Sequence, residues 1–230
     1  MWAICLNEFK GHFKSFKSIV VIAIIFGVTY LTADLMSNLM ASFPEEAAEL
    51  GTDGYATGIV ILIFVLGFFF ITGLSHDIVN REVSERTMRF LVTKTTRLNV
   101  LMGKYLGVWF FWLFCMVVCF LLITIKSKDF LWLGLVDTML FLSVALALNL
   151  VFSIVIPKPG VTMFVGITFA LVFPALSFWA IFSGKLYITW FKFLTPYYYS
   201  SLADYYILIN GLYAFLLLLL AYWLFKRRDF

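Results

Sequence analysis

The sequence predicts an all-α integral membrane protein with six transmembrane helices, and three observations predict it. The chain is 63% hydrophobic and 20% aromatic, with only 13% of its residues charged. A soluble domain carries about 25% charged residues and about half apolar ones. Six apolar stretches approach or exceed the ~20 residues that a helix needs to cross a hydrocarbon core. Lysine and arginine gather on alternate sides of those stretches. In water, 27 Phe, 7 Trp and 11 Tyr would leave large apolar patches exposed and drive aggregation. The length suits one membrane domain over residues 1–230, with no second folded soluble unit.

Taken in order, residues 1–17 come first. Trp2, Cys5, Phe9, Phe13 and Phe16 recur at spacings of three and four. Lys10 and Lys14, with Lys17, lie on the other side. This pattern predicts an amphipathic helix lying in the membrane interface, its phenylalanines dipped into the acyl boundary. The spans follow at roughly Ser18–Met36, Ala56–Gly73, Tyr105–Ile125, Phe130–Ile156, Val161–Phe182 and Tyr205–Phe225. The first run reads as a permanent span and not a cleaved leader, because no small-residue cleavage site follows a short apolar core. Pro157-Lys158-Pro159-Gly160 divides the fourth span from the fifth. Neither proline can donate a backbone hydrogen bond, so two helices joined by a tight turn are expected. Residues 183–204 are aromatic but interrupted by Gly184, two lysines and Pro196. They predict short helices dipping into the outer face, since aromatic rings with a polar edge favour the lipid–water boundary.

Orientation follows from the basic residues. With the N-terminus inside, thirteen of the 17 Lys and Arg fall on the inner side, and only Lys126, Lys128, Lys185 and Lys192 fall outside. Asp34, Glu45, Glu46, Glu49 and Asp53 cluster around the first outer loop. Both termini are therefore expected in the cytoplasm. Cys115 and Cys119 sit four apart on an apolar segment and read, with Cys5, as small packing residues. His12 and His76 are the only histidines and both lie outside the spans. An intramembrane metalloprotease would need its ligands within them, and no serine in a span has a base beside it.

The segment with most information is residues 75–104. Asn80–Leu91 has good helix formers and no glycine or proline, and predicts one short charged helix. Glu82 stands four residues from Arg86 and Glu85 four from Arg89, a helical pairing distance. Val79, Val83 and Leu91 supply apolar contacts. Thr96 can cap the next helix. Such a helix either fixes topology by its charge or docks onto a soluble partner.

These residues resemble a family. Permeases of the type-two ABC exporter superfamily carry, between their second and third spans, a stretch of the form E-x-x-x-G-T-x-x-x-L, then a Pro-Ser-Arg-like turn, then Gly-Lys opening the third span. Here stand Glu82, Glu85, Thr87, Arg89, Phe90 and Leu91, then Arg97, then Gly103-Lys104. The ending Phe225-Lys226-Arg227-Arg228-Asp229 is similar to the family's basic tail. The sequence departs from the pattern at Arg86, where the family has glycine, and at Thr95, where it has proline.

The resemblance implies six spans, an N-terminal interfacial helix, and a cytoplasmic coupling helix through Glu82, Glu85, Arg86, Thr87, Arg89 and Leu91. It implies a plasma-membrane protein, of a kind common in bacteria, that binds no cofactor itself. ATP and Mg would be used by a soluble ABC ATPase subunit present in two copies. A second permease, the same chain or a different one, would complete the pathway; no nucleic acid is involved. The chain itself is not expected to be an enzyme. It has no G-x-x-x-x-G-K-[ST] loop, and Gly103-Lys104 lacks the upstream glycine that cradles phosphates. Small bacterial members often export or give protection against antimicrobial peptides, so an amphipathic peptide is the expected cargo. Lipids, glycans and hydrophobic drugs are the alternatives, and a channel or secondary transporter is a more distant one. Asp34, Asp137 and Asn149 are the candidate pathway residues, because polar groups within spans are often functional.

Overall fold

A computed structural model describes residues 1–43, 52–183, 185–202 and 204–228. The acidic residues Glu45, Glu46 and Glu49 lie outside the described residues. Helices dominate, and no strand occurs among the described residues. The long ones are α2 (Phe16–Ser42), α3 (Thr57–Ser75), α6 (Arg97–Ser127), α7 (Trp132–Val155), α8 (Pro159–Phe182) and α11 (Ile207–Arg227). Among the described residues, six helices are long and apolar enough to cross a membrane, which makes this a multi-pass membrane protein. They coincide with the six stretches read from hydropathy. In lipid a backbone must satisfy its hydrogen bonds internally, so an apolar run of this length has little choice but to be helical.

The fourth span, α7, is the axis of the bundle. Its apolar window is 72% buried, against 17% for the first span and 22% for the sixth. Helices α3, α6 and α11 pack around it. An aromatic cluster fills the centre: Phe141 lies 5.7 Å from Phe68 and 4.9 Å from Tyr197, and Phe169 stacks on Phe173 at 4.6 Å. The expected break between the fourth and fifth spans is present. Helix α7 stops at Val155 and α8 starts on Pro159, where proline's missing N–H costs nothing.

Shorter elements complete the chain: α1 (Trp2–Lys14), α4 (Asn80–Ser84), α5 (Met88–Lys94), α9 (Leu186–Thr189) and α10 (Pro196–Ser201). The described residues of the 183–204 segment form short helices, as expected, but not solely a surface belt. Tyr197 of α10 is 2% exposed and inserts into the central aromatic cluster.

One expected element forms differently. A continuous helix over Asn80–Leu91 is replaced by α4 and α5, with a break at Glu85–Thr87. Arg86 adopts φ 60°, in the left-handed region. The Thr87 N–H donates to the Glu82 carbonyl at 2.9 Å and the Arg86 N–H to the Val83 carbonyl at 3.2 Å. This is the paired bonding of a Schellman cap, in which the left-handed position is usually glycine. Composition alone did not reveal the stop because arginine occupies the position that glycine would have marked.

Candidate functional site

The site begins with two glycines on α6. Gly103 and Gly107 are one helical turn apart and present bare backbone to α1. A Cβ on Gly107 would fall 2.6 Å from the Glu8 Cβ and 2.7 Å from the Cys5 carbonyl oxygen. On Gly103 it would fall 3.0 Å from the Met1 carbonyl oxygen. Small residues at this spacing let helices approach closely in membranes. The apolar stripe of α1 therefore meets the third span. Cys5 is buried, and Phe13 packs edge-on to Phe111 and Phe114 at 5.1 and 5.4 Å. Phe9 lies 5.1 Å from Phe13. Lys10 and Lys14 stay exposed, and Phe16 is 79% exposed. The periodicity of this stripe is as expected, but much of it packs on protein.

Between the two glycines stands Lys104, with no exposed surface. Its Nζ donates to Glu8 Oε1 of α1 at 2.7 Å and to Glu82 Oε1 of α4 at 2.6 Å. These are charge-assisted hydrogen bonds of full strength. A buried ammonium requires such partners, because an unpaired one would cost far more than folding can supply. One lysine thus holds together the N-terminal helix, the 75–104 segment and the third span. Arg81 adds looser pairs, 3.7 Å to Asp77 and 4.0 Å to Glu8. Beside the cluster lies a polar cavity of about 310 Å³, whose lining includes Glu8, His12, Lys17, His76, Asp77 and Arg81. Burial holds the His12 imidazole below the ordinary histidine range, and nearby Glu8 and Asp77 oppose that only in part. Burial likewise pushes the Cys5 thiol up.

A second anchor holds the same segment from the opposite side. Asn80 is fully buried, and its Nδ2 donates to Thr162 Oγ1 at 2.6 Å and to the Ile156 carbonyl at 3.1 Å. Ser153 Oγ accepts from the Val79 and Asn80 N–H groups at 2.9 and 3.2 Å. The end of α3 and the start of α4 are therefore tied to the turn between the fourth and fifth spans. Arg97 donates to the carbonyls of Lys226 and Arg228 at 2.6 and 2.9 Å, closing the C-terminal end of α11 in the way a basic group caps a helix. Thr96 caps α6 as expected, its Oγ1 accepting from the Asn99 N–H at 3.3 Å.

The predicted residues divide into three groups. Glu82 turns inward to Lys104 and not along its own helix to Arg86. Glu85, Arg86, Thr87 and Arg89 are exposed, and so is Phe90 at 70%; Leu91 is half-buried. They form an exposed surface carrying both charges and an aromatic ring. Asp34, Asp137 and Asn149 are each held by a different partner. Asp34 pairs with Lys126 at 2.5 Å, Asp137 accepts from Ser200 at 2.8 Å, and Asn149 donates to the Ser75 carbonyl at 2.7 Å. Asp137 and Asn149 stand roughly 18 Å apart along α7 at 1.5 Å per residue. The structure does not gather these three into one site.

Residues the sequence reading missed are Glu8, Asn80, Gly107 and Lys104 as a buried partner. Two signals were available. Gly103 and Gly107 have the spacing of a small-residue contact, and Lys104 sits about two turns inside a helix that continues apolar. Among the described residues, no group of three or more His, Cys, Asp or Glu is placed to hold a metal ion. Comparison with known proteins finds no family model that matches this chain, and no match among curated proteins.

Proposed function

We propose that this chain is the membrane-spanning permease subunit of an ATP-driven exporter of the type-two ABC superfamily, moving amphipathic or hydrophobic peptides outward across the cell membrane. The observation that carries the reading is the Lys104 clamp. It joins the 75–104 segment to α1 and α6 through buried ion pairs, while Asn80 joins it to the fourth and fifth spans. A segment held this way moves with the spans as a body. The exposed surface at Glu85, Arg86, Arg89 and Phe90 is then where a soluble ATPase subunit grips. Closure of two ATPase subunits on ATP and Mg would swing the spans by rigid-body movement.

Two features of the sequence support the same reading. The Glu82-to-Leu91 spacing matches the family stretch, and Arg86 has the left-handed backbone that the family's glycine would suit. The thirteen inner-side basic residues favour α1 and the 75–104 segment facing the cytoplasm. An apolar cargo suits a second cavity of about 620 Å³ beside α8, lined by Phe164, Phe169, Val172, Phe173 and Phe191 with Tyr213. A hydrated ion would need polar lining.

The test is co-purification with the ATPase subunit, followed by ATPase assays with candidate peptides. Glu85→Ala with Arg89→Ala should lower both partner retention and peptide-stimulated hydrolysis by about tenfold, the equivalent of about 1.4 kcal/mol of lost contact. If both are unchanged, the exposed surface is not the grip.

A further inference from the structure

The polar cavity beside the Lys104 clamp shares Glu8 with it and adds charged groups that the clamp does not use. Two basic side chains, Lys17 and Arg81, and two acidic ones, Glu8 and Asp77, line it together. The charges balance, so a bare anion or a bare cation would meet as much repulsion as attraction. A ligand carrying both signs would meet a partner for each. The cations have capacity to spare. Arg81 stands 3.7 and 4.0 Å from its carboxylates, beyond the 2.7–2.9 Å of a charge-assisted hydrogen bond. Lys17 is exposed, with no ion pair among the described residues.

The cavity's position is equally informative. It lies where α1 meets the first turn of α2 and the last turn of α3, at the ends of two membrane spans. Gly11 and Gly73 leave its walls open, with nothing within 4 Å of where a Cβ would stand. Below Gly73, at successive steps of four, α3 presents Phe69, Val65 and Ile61, exposed by 39, 47 and 57%. Below Lys17, α2 presents Val20 and Ile24, exposed by 40 and 42%. Residues three and four apart share a helix face. Two exposed apolar stripes therefore run from the cavity along the two spans.

We propose that this cavity binds the phosphoethanolamine headgroup of a phospholipid in the adjoining leaflet. The phosphate lies against Lys17 and Arg81, the ammonium donates to Asp77, and the acyl chains follow the two apolar stripes. A volume of about 310 Å³ is roughly ten water molecules' worth of liquid, enough for a phosphate with a short aminoalkyl arm. Selectivity comes from hydrogen bonding. A primary ammonium can donate to Asp77, a trimethylammonium cannot, and a glycerol headgroup brings no cation. A membrane around the bundle is all the site requires, so it holds whether or not an ATPase subunit binds below.

The experiment is native mass spectrometry of the full chain released from detergent, with dioleoyl phosphatidylethanolamine, phosphatidylcholine or phosphatidylglycerol added in turn. Phosphatidylethanolamine should be retained at least about fivefold over the other two. Asp77→Asn with Lys17→Gln should bring the three to parity. Lys17→Gln alone, at an exposed position that leaves folding intact, should reduce the preference at least about twofold. Equal retention of all three lipids by the wild type, or a preference untouched by both variants, would overturn the proposal. Glycerophosphoethanolamine, the headgroup without chains, should displace the lipid only weakly. If it competes as well as the lipid does, the site takes a soluble ligand and the lipid assignment fails. If the variants instead change the number of protein copies in the complex and leave lipid retention alone, the cavity is a protein contact and the assignment fails too.

Discussion

Replacing Lys104 with methionine tests the clamp most directly. The side chains are similar in length, so the change removes charge and donors with little loss of volume. Glu8 and Glu82, now held by one ammonium at 2.7 and 2.6 Å, would face each other without it. Removing one partner of a buried ion pair costs about 3–5 kcal/mol, because the charge left behind is uncompensated. The Glu8 and Glu82 side chains retain 12 and 17% exposure, so some water reaches them and the lower end, about 3 kcal/mol, applies. For a chain of this size each kcal/mol moves the melting temperature by about 2–4 °C. Lys104→Met should therefore melt about 6–12 °C below wild type in detergent. Adding Glu8→Gln and Glu82→Gln removes the stranded charges and should recover at least half of the loss. A Lys104→Met protein melting within 2 °C of wild type, or a triple variant no better than the single one, would refute the reasoning.

Three further outcomes follow from the same geometry. Arg86→Gly should raise the melting temperature by about 2–4 °C, since a left-handed non-glycine residue carries about 1 kcal/mol of strain; a lower melting temperature would contradict the cap. Gly107→Val should lift α1 from α6, because a Cβ already meets the Cys5 carbonyl oxygen at 2.7 Å. In a Cys115→Ala, Cys119→Ala background, maleimide should then label Cys5 at least about tenfold faster; an unchanged rate would mean that α1 is not seated there. His12 has its folded-state pKa below its ordinary value of 6.5, chiefly through burial. The unfolded chain therefore binds the proton first, and the stability that His12 contributes is complete above about pH 6.5 and lost as pH falls below it. The difference in melting temperature between wild type and His12→Gln should shift against the wild type between pH 7 and pH 5; a constant difference would show that His12 does not titrate there.

How legible the protein was depends on the range of the interaction concerned. The spans, the break at Pro157–Gly160 and the Thr96 cap were read correctly because each depends on neighbours in the chain. The interruption at Arg86 was not. A Schellman cap is recognisable when glycine marks it, and here the arginine conceals a backbone conformation that only the hydrogen bonds of Glu82 and Val83 disclose. Glu82 was expected to pair with Arg86 four residues on, where helix geometry would allow it. The helix ends first and takes Arg86 off its face, and the carboxylate pairs with Lys104 of the third span instead. The stripe of α1 was visible as a period, but its partner was not, since a period says which face is apolar and nothing of what covers it.

The sequence by itself determined that this chain has six stretches long and apolar enough to cross a membrane as helices, because transfer of an apolar helix into lipid is a sum over its own residues. Only the tertiary structure decided that Lys104, 96 residues from Glu8 and 22 from Glu82, holds both. That depends on two glycines letting one helix lie against another. A buried charge can choose its partner only once packing has excluded the water that would otherwise serve as well.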